Sequence, residues 1–270
     1  MNNFPARAGW HWVKQGWQLF RKQPGGLMAL FFCCMFMSLV IMMIPLGQIA
    51  PIVLAPLFSI ALLEGCSQTE QGQRALPNLV LSGFRKPARS PLLLLGALNF
   101  VALLLAFFLL YSMAGDVLKN LTSSKPPYDP ALANQLAGPL MLVSALYGLA
   151  WLLTCLAAPL VYWQKMKVGK ALFFSIVSVG RGFKAFFVAA AILQLIHFIG
   201  IQIIASLLGN SALMVAGVMT MLVFSVVLTH CTLYASYRAI FGTPHVPPAP
   251  AALPPEGPPE QPPHDNGGQP

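Results

Sequence analysis

The sequence predicts an all-α fold, a polytopic membrane bundle of six transmembrane helices. Three observations predict it. Hydrophobic residues make up 57% of the 270 and charged residues only 9%. The apolar residues gather into six long runs. Lys and Arg fall between those runs in an alternating pattern that marks sidedness. Soluble domains carry about 25% charged residues, and a water-soluble chain of this composition could not wet its own outside. Ordinary soluble enzymes, disordered proteins and disulfide-stapled secreted domains are excluded on that ground.

The first element, residues 1–24, is not a span. At about 100° per residue, Ala6, Trp10, Val13, Trp17 and Phe20 share one helical face, and Arg7, His11, Lys14, Gln18, Arg21 and Lys22 another. Pro24-Gly25-Gly26 then breaks the helix. This pattern predicts an amphipathic interfacial helix. Trp10, Trp17 and Phe20 would dip into the acyl boundary while Arg21 and Lys22 meet anionic headgroups. Simple anchoring of the first span and specific lipid sensing both account for it.

A membrane domain follows over residues 25–242, with spans at about 26–44, 49–63, 91–112, 138–163, 185–208 and 211–236. Most meet the ~20 residues needed to cross ~30 Å of hydrocarbon. The first run is too long for a signal-peptide core and is read as an uncleaved anchor. The second span is the shortest and holds Pro51 and Pro56, so it is either a kinked span or a re-entrant segment. Loop charges favour a span. With the N-terminus inside, the inner segments hold Arg7, Lys14, Arg21 and Lys22, then Arg74, Arg85, Lys86 and Arg89, then Lys165, Lys167, Lys170, Arg181 and Lys184, and finally Arg238. Only Lys119 and Lys125 fall outside. That asymmetry predicts cytoplasmic N- and C-termini. A re-entrant second segment would flip every later loop.

A weak internal repeat is visible. Leu54-Ala55-Pro56-Leu57 and Ala157-Ala158-Pro159-Leu160 each end an inward span. Each is followed by a short amphipathic stretch and a Gly-Phe-base motif, at Gly83-Phe84-Arg85 and Gly182-Phe183-Lys184. In the second copy Leu172, Ile176, Val179 and Phe183 would form an interfacial face. Chance similarity accounts for the repeat equally well. The outer loop, 113–137, is polar and too short for a domain. From Thr243 to Pro270, 11 of 28 residues are Pro, which predicts a disordered Pro-rich cytoplasmic tail.

Catalytic chemistry finds little support. None of these spans contains Lys, Arg or Asp, and Glu64 is the one acidic residue near a span end. The intramembrane carboxylate of a proton-coupled pump and the arginine ladder of a voltage sensor are both missing. There is no phosphate-binding glycine loop, HExxH or GxSxG. The five Cys lack metal-ligand spacing, so they read as packed thiols and no metal or cofactor is expected. The candidate ligand-binding residues are the polar ones at membrane depth, Asn99, Gln194, His197 and His230. Gln194 and His197 share a helix face, whereas the two His lie at depths about 9 Å apart at 1.5 Å rise. A ligand site between spans 4–6 and plain interhelical hydrogen bonding are the competing readings. Trp151 and Trp163 read as belt and packing residues.

Three segments carry a resemblance to known proteins. They are Gly9-Trp10 with Gly16-Trp17-Gln18-Leu19-Phe20-Arg21-Lys22-Gln23-Pro24-Gly25, then Ser82-Gly83-Phe84-Arg85, then Tyr234-Ala235-Ser236-Tyr237-Arg238-Ala239-Ile240-Phe241-Gly242. Over about residues 9–242 the chain resembles an uncharacterised family of six-span proteobacterial inner-membrane proteins. That family is distantly similar to the membrane domain of membrane-anchored glycerophosphodiester phosphodiesterases. The resemblance implies a multi-pass protein of the bacterial inner membrane. No catalytic domain accompanies the spans, so it implies no phosphodiesterase activity. The expected role is a non-enzymatic membrane protein that organises a partner. The alternative is a transporter or lipid-handling protein. The expected partners are anionic lipid headgroups and a protein engaged through cytoplasmic loops or tail, with no nucleic acid.

Overall fold

The computed structural model describes residues 4–45, 47–123, 130–209 and 211–244. Among them every regular element is helical: α1 (Ala6–Lys22), α2 (Pro24–Met42), α3 (Ala50–Glu70), α4 (Arg89–Ser123), α5 (Pro130–Thr154), α6 (Ala157–Trp163), α7 (Val168–Arg181), α8 (Phe183–Leu208) and α9 (Ala212–Phe241). Short 3-10 segments cover Gly47–Ile49 and Pro77–Phe84. Six stretches are long and apolar enough to cross a membrane: Pro24–Met42, Gly47–Glu70, Arg89–Asn120, Asn134–Trp163, Phe183–Leu208 and Ala212–Phe241. The chain is a multi-pass membrane protein. The Pro-rich tail from His245 onward, and Lys125 between α4 and α5, lie outside the described residues.

The second span is a continuous 21-residue helix with Pro56 inside it, which runs past the expected end at 63 by nearly two turns. The last span likewise extends to Phe241 rather than 236. Both extensions carry charge into the helices, Glu70 on α3 and Arg238 on α9. The fourth span is interrupted instead. Pro159 has no N–H to offer the carbonyl four residues back, and the helix breaks at Cys155-Leu156 between α5 and α6. Ser175 of α7 repairs the gap. Its hydroxyl donates to the Leu153 carbonyl at 2.7 Å and accepts from the Leu156 N–H at 3.2 Å. A broken span is tolerated at membrane depth where such a partner reaches the freed backbone groups.

The two halves of the suspected repeat therefore differ in structure. Pro56 sits well inside a long helix, whereas Pro159 lies in a 7-residue one. The element after the first is a 3-10 segment, and the element after the second is the α-helix α7.

Burial is concentrated at the end of the bundle that carries the bases. Leu27 and Leu30 of α2, Leu57 to Thr69 of α3, Leu92 and Leu95 of α4, Leu156 to Val161 around α6, Ala185 to Ala189 of α8 and Val227 to Tyr237 of α9 supply the core. At the opposite end Phe36, Met43, Leu105, Phe108, Met141, Leu207 and Leu213 are exposed. In acyl chains such side chains need no protein cover, because lipid is as apolar as they are.

α1 packs onto this core more tightly than a helix resting on the surface would. It lies across α8 and α9, and its buried face is Gly9, Trp12, Val13, Gly16, Leu19 and Phe20. The buried stripe is rotated from the expected one. Trp12, outside the expected apolar face, is 3% exposed and packs tilted against Phe186 with ring centroids at 4.9 Å, while Trp10 and Trp17 stay 55% and 41% exposed. The reason is the glycines. Gly9 sits against the Ala185 carbonyl, and a Cβ on Gly16 would meet the Thr232 backbone at 2.8–2.9 Å. Only the glycine side of α1 lets two backbones approach so closely. At the α1–α2 junction Gln23 leaves helical geometry, and its side chain clamps the exit loop of α3. It donates to the Gln73 carbonyl at 2.7 Å and accepts from the Ala75 N–H at 2.9 Å.

α7 shows the same rotation. It buries the small residues Ala171, Ser175, Ser178 and Val179, and turns Phe173 and Ile176 outward. Val179 of the expected interfacial face thus points into the protein, while Ile176 and Phe183 point out.

Gly16→Leu should therefore cost about 1–3 kcal/mol by overpacking, read as a lower midpoint of thermal unfolding in detergent. Gly25→Ala, with open space around it, should leave the midpoint unchanged.

Candidate functional site

Two polar clusters lie within the packed end, and both centre on carboxylates of α3. The C-terminal half of α3 runs through the core and ends at its edge, so Glu64 is held inside while Glu70, less than two turns on, reaches the rim. Glu64 is only 5% exposed and accepts a hydrogen bond from Trp163 Nε1 at 3.1 Å. Trp163 is held in turn by Tyr237 and Tyr234, with ring centroids at 4.8 and 5.9 Å.

Above Glu64 opens a cavity of about 490 Å³. Its floor and walls are Glu64, Pro87, Ala88, Pro91, Val161, Tyr162, Trp163 and Met166, and Arg85, Lys86 and Lys165 supply its cations. The backbone explains how Lys165 arrives there. α6 ends at Trp163 with Gln164 as cap, and Lys165 takes the left-handed conformation at φ 53°. That turn reverses the chain out of the helix and sets the lysine at the mouth of the cavity. Arg85 and Lys86 come from the opposite wall, between the 3-10 segment Pro77–Phe84 and the start of α4. The 3-10 segment packs closely on α3 because Gly83 faces the Leu57 backbone, where a Cβ would approach to 2.8 Å.

The second cluster is a latch rather than a chamber. Glu70 forms an ion pair with Arg238 of α9 and accepts from the Tyr234 hydroxyl at 2.7 Å. Arg238 Nη2 also donates to Gln15 Oε1 of α1 at 3.0 Å. A smaller cavity of about 150 Å³ lies beside it, between Gln15, Gln18, Lys22 and Glu70. One arginine thus ties α1, α3 and α9 together.

The sequence-predicted polar residues do not gather in either cavity. His197 Nδ1 pairs with Ser225 Oγ of α9 at 2.8 Å. His230 Nδ1 is bonded to the Val226 carbonyl of its own helix at 2.8 Å. Gln194 is exposed on α8, and Asn99 is half-buried on α4, a helix whose main neighbours are α3 and α5. Of the interfacial residues, Trp10, Trp17, Arg21 and Lys22 are exposed, whereas Phe20 turns inward onto Phe224 at 5.4 Å. Among the described residues no three of His, Cys, Asp and Glu lie close enough to hold a metal ion. The thiols of Cys66 and Cys231 meet at 3.4 Å in the core as free cysteines.

Sequence reasoning missed Trp163, Glu70 and Arg238. Trp163 reads as a belt residue because it precedes a lysine at a span end. Glu70 and Arg238 fell beyond spans drawn too short. The available signal was Tyr234 and Arg238 at i, i+4 spacing, which puts both on one helix face.

No family model matches the chain, and no solved structure matches it. The chain is similar to a probable inner membrane protein of Burkholderia thailandensis. The two are 29% identical over 253 residues, covering 88% of this chain and 92% of that protein. The similarity thus takes in nearly all of both sequences, not one segment.

The latch gives a direct test. Glu70→Gln and Arg238→Leu should each lower stability, and the double variant should lose less than the sum. The expected coupling is roughly 0.5–3 kcal/mol, at the lower end because both side chains are partly solvated. Thermal unfolding of the four proteins in one detergent measures it.

Proposed function

We propose that the chain is a multi-pass protein of the bacterial inner membrane that acts without catalysis, organising a partner at the cytoplasmic face. Both termini lie in the cytoplasm in this reading, since α1, Arg74 to Arg89, Lys165 to Lys184 and Arg238 are the basic segments. The inner-membrane assignment rests on the similarity to the Burkholderia thailandensis protein and on the six apolar helices.

One observation carries the proposal. The close-packed core and the larger cavity lie together at the basic end, under Arg85, Lys86 and Lys165. A membrane protein built to work on its cytoplasmic surface would be expected to hold that end rigid. α1 and α7 support the same reading. Each buries its small residues and presents exposed apolar groups, Trp10 and Trp17 on one and Phe173 and Ile176 on the other, beside exposed bases. Such surfaces suit a headgroup layer with anionic lipid. The distant similarity to membrane-anchored glycerophosphodiester phosphodiesterases extends in this reading to the six-span architecture and not to their reaction.

A second reading, lipid handling, is favoured by the buried Glu64 under the same cavity, because an intramembrane carboxylate is more often functional than decorative. Extraction in lipid-retaining particles, followed by mass spectrometry of what co-purifies, separates the two. A stoichiometric protein partner is expected if the chain organises one. A selectively retained lipid without any protein would replace that reading with lipid handling.

A further inference from the structure

We propose that the cavity over Glu64 is a binding site for the phosphodiester headgroup of an anionic membrane lipid. The inference rests on the reading that this end faces the cytoplasmic leaflet, and adds to it one ligand and one site.

Charge is the first argument. Arg85, Lys86 and Lys165 converge on one concavity from two walls, and none of the three forms an ion pair among the described residues. The one carboxylate present, Glu64, is already engaged by Trp163 Nε1. Three cations against one carboxylate leave the site net positive, and it selects an anion. Arginine supplies a planar fork and the lysines supply point charges, the combination that suits phosphate oxygens.

Depth is the second argument, and it points to a lipid rather than a soluble phosphate ester. Apart from Glu64 of α3 at its floor, the lining comes from the last residues of α6, the turn after it and the first residues leading into α4. These are the ends of two apolar stretches long enough to cross the membrane, so the site stands at headgroup level. Its walls carry the apolar side chains of Pro87, Pro91, Val161 and Met166. A headgroup entering from the leaflet would set its phosphate among the cations and lay its glycerol and first methylenes on those walls. A free phosphate has nothing to place there.

The test is native mass spectrometry of the full chain in detergent, titrated with phosphatidylglycerol, phosphatidylcholine or glycerol 3-phosphate. One phosphatidylglycerol should be retained in preference to phosphatidylcholine. The variant Lys86→Gln with Lys165→Asn keeps a residue that tolerates the left-handed turn at 165 and removes two cations. It should weaken that retention roughly thirtyfold, at about a fivefold loss per cation near the headgroup layer. Arg74→Gln with Lys184→Gln removes the same charge from exposed positions that line neither cavity and should change retention little. Equal loss in both variants, or none in either, would overturn the site. Displacement of the lipid by glycerol 3-phosphate at comparable concentration would overturn the lipid as its occupant. The side of the membrane is read separately, by a reporter fused to the C-terminus. A tail found outside would remove the cytoplasmic reading while the binding result stands, and a failed titration would leave the orientation untouched.

Discussion

From Leu57 to Thr69, α3 is enclosed by α1, α2, α4, α6, α9 and the 3-10 segment Pro77–Phe84. Helices in lipid gain little from hiding apolar surface, so close approach must come from small residues and fitted shapes. Gly83 lies on the Leu57 backbone, Gly96 on the Val53 carbonyl and Gly65 under Leu30. Each admits a neighbour to a distance that a side chain would forbid. The packed basic end depends on this enclosure. So does the burial of Glu64, Ser67 and Thr69, polar groups that need partners once they are cut off from solvent. Thr69 finds one in the Gly65 carbonyl at 2.8 Å, and Glu64 finds one in Trp163.

The interruption of the fourth span follows from the same need to satisfy backbone groups. Pro159 frees a carbonyl and Ser175 reaches across from α7 to the gap. The short α6 that results ends with Trp163 turned inward and Lys165 turned outward. A straight helix through the membrane would not bring those side chains to a common cavity wall. The break and its repair by α7 are therefore part of how the cavity is built. They also dock α7 against the bundle, with Phe173 and Ile176 left on its outer side.

α1 joins the assembly by two independent means. Its glycine face seats against α8 and α9, and Gln15 reaches Arg238, which holds Glu70. The first is a matter of shape and the second of charge. Trp10 stays exposed, and the half-exposed Trp17 meets the edge of Phe224 on α9, with ring centroids at 6.0 Å. One helix is thus part of the protein core on one side and exposed on another, because its circumference divides into glycine, aromatic and basic sectors.

Composition, the six apolar runs and the division of bases between loops are legible in the sequence because each depends on local chemistry. A segment of ~20 apolar residues is long enough for a membrane wherever it occurs. The inclusion of Pro56 in a long apolar helix was legible for the same reason. What could not be read was which sector of each helix meets another. The hydrophobic stripe that separates core from water loses its meaning in lipid, where Trp10 is as comfortable outside as Trp12 is inside. Helix ends were also hidden, since Glu70 and Arg238 look like loop residues until they neutralise one another between α3 and α9, with Gln15 of α1 bonded to the same arginine. The grouping of Gln194, His197 and His230 rested on polar residues at membrane depth, with only Gln194 and His197 sharing a face. The tertiary structure decided instead that His197 meets Ser225, that His230 turns back on its own helix, and that the converging polar groups lie at the basic end. Pairing across helices is set by backbone approach, and it is decided by glycines, breaks and caps whose partners are distant in sequence.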